Sequence, residues 1–275
     1  MYSFHRTMRE SRATQSDRHR KAPLRPAVLA VTLGLVAALS QATHAQEAKQ
    51  MNQVSAGAPS AAESLTVRQQ AIVPIGAFAA AGDMAKLNAA LNQGLDAGMT
   101  ISDTKEILVQ LYAYAGFPRS LNALGELMKV LEIRKQRGIQ DAPGREPSRP
   151  IPKGDALLAT GKANQTKLSG GPVEGPLFDF APVANEYLRT HLFGDIFERD
   201  NLDWQSRELA TVSMLSALPG AEPQLQAHMK ISLNTGLTAT QLRQLTHVLG
   251  ERADADMARR ANEALERQLA TKAAK

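Results

Sequence analysis

The chain is predicted to be all-α, and three observations predict it. From Leu65 onward the texture is rich in Ala and Leu, with apolar residues at helical spacing. No segment shows the strict apolar–polar alternation of a half-buried strand. The pattern helix, short break, helix then occurs twice, over residues 65–100 and 202–238. A duplicated antiparallel helical hairpin is the economical architecture.

In chain order, residues 1–26 hold seven basic residues (Arg6, Arg9, Arg12, Arg18, Arg20, Lys21, Arg25) against Glu10 and Asp17. An apolar run follows from Ala27 to Leu39, then Ser40 to Ala45 with small residues at Thr43 and Ala45. A basic start, a short apolar stretch and a small-residue exit read as an export signal cleaved near Ala45. The run falls short of the roughly 20 residues needed to span a bilayer, so no stable membrane anchor is expected. A periplasmic or secreted location follows. The first 26 residues also account for the whole formal charge of +5 and for the pI near 9.5. Residues 46–275 carry 25 charges of each sign, which removes the electrostatic case for nucleic acid.

Residues 46–62 are small and polar and read as a flexible leader to the folded part. Leu87, Leu91 and Leu95 recur at i+4, as do Ile107 and Leu111, and Leu121 to Leu131 marks a longer helix. That helix ends at Arg134-Lys-Gln-Arg137 before Gly138, cations and a glycine that suit a helix C-terminus. Residues 138–153 contain four prolines and form either a linker or an ordered surface connection. Helices are expected over about Asp155–Leu168 and Pro182–Leu192. The domain plan is therefore 1–45 signal, 46–62 leader, 63–138 first repeat, 139–176 linker with a helix, and 177–272 second repeat.

The two copies end alike. Gly98-Met-Thr100-x-x-Asp103 matches Gly236-Leu-Thr238-x-x-Gln241. In each, a glycine closes one helix and a Thr with an acid or amide three residues later caps the next.

Two stretches carry a family resemblance. One runs from Gly98 through Glu106, Gln110 and Tyr114 to Ala-Gly-Phe-Pro118. The other runs from Phe193-Gly-Asp through Arg207, Glu208 and Leu225-Gln-Ala-His228 to Gly236. Together they resemble the carboxymuconolactone decarboxylase family, the helical group that includes the alkylhydroperoxidase D-like proteins. Each copy keeps one half of the polar set. Gln70, Ala71 and Ala90 align with Arg207, Glu208 and His228, while Gln244 and Arg252 align with Glu106 and Tyr114. Either one composite site forms between the copies or neither half is catalytic.

The resemblance implies cofactor-free acid–base chemistry, decarboxylation or lactone and proton transfer, on a small carboxylated substrate. His228 would move the proton, with Glu208 orienting it or acting as acid or base. Arg207 would clamp a carboxylate, and Glu106 with Tyr114 would complete the pocket. Each residue has a plainer reading. His228 fits a buried histidine with one hydrogen bond, Glu106 and Glu208 fit solvated helix acids, and Arg207 fits an ion pair with Glu208, Asp203 or Glu198. Asp195, Glu198 and Arg199 are expected to fix the turn into the helix at Trp204. The competing class is a non-catalytic binding or assembly protein on the same scaffold. The family's assemblies imply a homo-oligomer, here a trimer of two-repeat chains. With no cysteine, the thiol peroxidase route of the redox branch is excluded. Only His191, His228 and His247 lie beyond the signal, none at metal-ligand spacing, so no metal or other cofactor is expected.

Overall fold

The structure, a computed structural model, describes residues 63–273, and these are helical with no strand among them. The expected export signal and leader lie outside the described residues. Two helices form the centre, α1 (Val67–Ala81) and α8 (Trp204–Ser216). Ten consecutive residues of α1, Ala71 to Ala80, are buried, and so are eleven of α8, Ser206 to Ser216. A helix buried on every face sits inside a bundle rather than on its rim. The two approach closely because Gly76 has no side chain. A Cβ there would stand 2.9 Å from the Ala210 carbonyl oxygen.

Around this pair the halves present the same order of elements. In the first, α2 (Met84–Asp96), α3 (Ile101–Gln110) and α4 (Tyr112–Gln136) follow α1. In the second, α9 (Glu222–Asn234), α10 (Ala239–Arg252) and α11 (Ala255–Ala273) follow α8. The exits behave as their residues require. Gly98 and Gly236 take positive φ, 87° and 98°. Thr100 and Thr238 then form capping boxes with Asp103 and Gln241. Between the halves lie α5 (Asp155–Ser169), α6 (Pro176–Phe180), α7 (Pro182–Tyr187) and a π-helical segment, Leu188–Ile196.

The expected single helix from Pro182 to Leu192 is thus two pieces, the second wound wider than an α-helix. It lies directly on α5, and two glycines permit this: a Cβ on Gly161 would fall on the Arg189 carbonyl oxygen, and one on Gly194 would stand 2.7 Å from Leu157 Cδ1. The π segment and α5 share a small core of Leu168, Leu192, Phe193, Ile196, Phe197 and Ile231.

Residues 138–153 are an ordered connection. The carbonyls of Ala142 and Pro143 accept from Ile101 N and Ser102 N, which are free donors in the first turn of α3. Farther along, Ser148 and Arg145 bond Asp200, and Arg149 pairs with Glu198 at 2.8 Å. The connection straps the start of α3 to the loop that precedes α8. No helix among the described residues is long and apolar enough to cross a membrane.

Candidate active site

The centre of the bundle is the most apolar part of the molecule, yet α8 carries polar side chains into it. Arg207 and Glu208 are both fully buried. Each requires a partner, because an uncompensated buried charge costs several kcal/mol, roughly 3–5 in measured cases. The partners come from other elements.

Arg207 Nη2 donates to Glu106 Oε2 on α3 at 2.9 Å and to the Arg199 carbonyl, while Nη1 reaches Gln110 Oε1 at 3.3 Å. Glu106 also takes a two-pronged contact from Arg199, at 2.7 Å from Nη2 and 3.0–3.1 Å from Nε. Gln110 Nε2 closes the group by donating to the Arg207 carbonyl and to Thr211 Oγ1. Burial alone would push the Glu106 carboxyl up. The Arg199 fork and the Arg207 charge outweigh it and bring the group down to about 2. Glu106 is therefore a permanent anion near neutral pH.

Glu208, the next residue of α8, has a different partner. Its Oε2 lies 2.9 Å from His228 Nδ1 on α9, and His228 is 7 % exposed. A carboxylate only accepts, so Nδ1 is the donor in this contact and Nε2 is the nitrogen left to face a substrate. Nε2 has no partner among the described residues. The Tyr114 ring meets the imidazole edge-on, with centroids 5.4 Å apart and planes at 81°. Burial raises the Tyr114 phenol well above its usual range, and the Glu208 charge adds to that. Tyr114 is thus a neutral hydroxyl that can donate. Gly116 places it: the left-handed backbone there, φ 79°, interrupts α4 immediately after the Tyr-Ala step. Tyr112 turns away and stacks on Phe117 at 4.5 Å.

Glu106, Tyr114, Arg207, Glu208 and His228 therefore fall into one cluster, drawn from α3, α4, α8 and α9. Its polar capacity is not used up. Arg207 Nε and Glu208 Oε1 are buried without a hydrogen-bond partner among the described residues, and Tyr114 Oη is buried beside the Thr211 side chain. Buried groups in this state are few in native proteins and concentrate where water or a ligand is handled.

Several details differ from the sequence expectation. None of the three acids proposed as ion-pair partners for Arg207 is its partner. Both of its terminal nitrogens are occupied, so no free two-pronged face is turned outward as a carboxylate clamp would require. Asp195 pairs with His191 at 3.1 Å and Glu198 with Arg149, while Arg199 belongs to the buried charge group. Arg199 was not foreseen as part of the cluster. Its only advance signal is that Glu106, on a helix with seven buried positions, needs a cation. Gln70 and Gln244, which the sequence aligns with Arg207 and Glu106, carry no charge and bond the backbone of Leu65 instead. No group of three His, Cys, Asp or Glu side chains among the described residues is placed to hold a metal ion.

Residues 182–267 match the model of the carboxymuconolactone decarboxylase family. No curated protein matches the chain. The matched segment includes Arg207, Glu208 and His228, whereas Glu106 and Tyr114 lie outside it. The helical fold and that match agree: over residues 182–267 the chain is similar to the carboxymuconolactone decarboxylase family.

Proposed function

We propose that the cluster is one composite acid–base site acting on a small carboxylated or lactone substrate without a cofactor. The observation that carries this reading is the Glu208–His228 pair, a buried carboxylate holding Nδ1 at 2.9 Å with the Tyr114 ring edge-on to the imidazole. In a decarboxylation, the bond between the carboxylate carbon and its neighbour breaks. Carbon dioxide leaves, and the electron pair stays behind as an enolate. The Tyr114 hydroxyl donates a hydrogen bond to the enolate oxygen, and protonated Nε2 of His228 delivers a proton to carbon. Glu208 stabilises the imidazolium before that transfer, and solvent restores the proton afterwards. In a lactone or proton-transfer reaction the same Nε2 begins as the base.

Glu106 has a different task here. An anion with a carboxyl near 2 does not exchange protons at neutral pH, so it holds Arg199 and Arg207 in place. Arg207 keeps one unused donor, Nε, for the substrate side of the cluster. The reading extends to export near Ala45, to two repeats at 63–138 and 177–272, and to a homo-oligomer, a trimer of two-repeat chains.

A turnover screen against small lactones and β-carbonyl acids tests it. Wild-type protein should convert at least one compound, with His228→Ala slower by two or more orders of magnitude. Glu208→Gln should retain weak activity with a displaced pH profile. Equal rates in wild type and His228→Ala would remove His228 from the mechanism.

A further inference from the structure

A cavity of about 400 Å³ opens between α5, the residues around α6 and α7, and the start of the π segment. None of its lining residues belongs to the cluster described above. Five charged side chains line it, Lys162, Glu174, Asp179, Glu186 and Arg189. None of the five forms an ion pair among the described residues, although pairs are frequent elsewhere on the surface. Opposite charges that share a concave wall without neutralising one another leave both signs available to a ligand.

The floor of the cavity is built more tightly. Arg189 Nε donates to Gln165 Oε1 at 3.1 Å, and Arg189 Nη2 reaches the Val173 carbonyl at 3.3 Å. Arginine has no acceptor, so the Gln165 oxygen must face it and the Gln165 nitrogen must face away. That nitrogen donates to Asn185 Oδ1 at 3.3 Å. Asn185 Nδ2 is thereby left as a donor without a partner among the described residues, on a side chain that is 94 % buried and lines the cavity. Arg189 Nη1, on a half-buried side chain, is a second donor without a partner among the described residues. The exposed acids Glu174, Asp179 and Glu186 supply acceptors nearer the rim. Leu158, Phe178 and Pro182 give an apolar wall.

We propose that this cavity binds a small zwitterion of the amino-acid type. Its carboxylate would lie against Asn185 Nδ2 and Arg189, its ammonium group against the rim carboxylates, and its aliphatic side chain on the apolar wall. The volume lies within the usual range for small-molecule sites. A fixed amide and guanidinium suit a carboxylate better than mobile surface lysines do, because their donors are oriented before the ligand arrives.

Calorimetric titration of the full chain with L-leucine, N-acetyl-L-leucine and L-leucinamide tests the proposal. L-leucine should bind saturably at one site per chain, with the acetylated and amidated forms at least tenfold weaker. Asp179→Asn combined with Glu186→Gln, both at exposed positions, should weaken L-leucine at least fivefold and leave N-acetyl-L-leucine unchanged. Arg189→Gln should weaken both. His228→Ala should bind L-leucine as wild type does. Absence of saturable L-leucine binding, equal affinity for the three probes, or indifference to the paired acid substitutions would overturn it.

Discussion

Glu106 is the residue whose environment has the clearest consequence for the whole chain. Its carboxyl sits near 2 in the folded protein against an ordinary value of 4.5. A lowered folded value means that its contribution to stability is complete above about 4.5 and disappears as pH falls toward 2. The difference is worth about 3 kcal/mol at neutral pH. Urea denaturation between pH 2.5 and 7 should show this loss in the wild type. Glu106→Gln should remove that part of the slope and lower neutral-pH stability by about 3–5 kcal/mol, since two guanidinium groups lose their counter-ion. An unchanged acid slope in the variant would reassign the effect to other carboxylates. The sequence marks Glu106 and Arg207 as special but cannot join them. Spacing reveals neighbours three or four positions apart, whereas this pair is separated by 101 positions and the Arg199 pair by 93. His228 is the easier case, because its partner lies on the adjacent helix of the same hairpin, 20 positions away.

At the level of elements, Gly161 makes the tightest contact between the π segment and α5. Gly161→Ala places a methyl group on the Arg189 carbonyl oxygen, and no side-chain rotation relieves a clash with backbone. It should cost more than the roughly 1–3 kcal/mol typical of overpacking, a fall of several degrees in thermal midpoint. Gly125→Ala on α4 is the matched control. Nothing lies within 4 Å of its Cβ position, so the added methyl should raise the midpoint slightly through helix propensity. Equal melts for the two variants would mean that the π segment moves aside. The caps around these elements are legible in advance, since Thr100-x-x-Asp103 and Thr238-x-x-Gln241 are local patterns with a local cause. The π segment is not. Over nine residues the apolar spacing of a wide helix and an α-helix cannot be told apart, and the cause of the widening lies on another element. The ordered course of residues 138–153 is hidden for the same reason, because its partners are the start of α3 and Asp200.

For the whole molecule, the central α1–α8 contact means that each half buries its core against the other. A chain divided after Lys153 should therefore give fragments 46–153 and 154–275 that do not melt cooperatively alone. An equimolar mixture should recover a single transition. The His228 ring protons should also regain their shift from Tyr114, which the other fragment supplies. Independent cooperative melting of either fragment would contradict the fold. Absence of the shift in a folded mixture would contradict the composite cluster. In the intact chain the strap of residues 138–153 makes this meeting an internal event. A short tether holds its ends at an effective concentration in the millimolar range. A site divided between separate subunits comes apart on dilution, but this one should be as complete in a nanomolar solution as in a concentrated one.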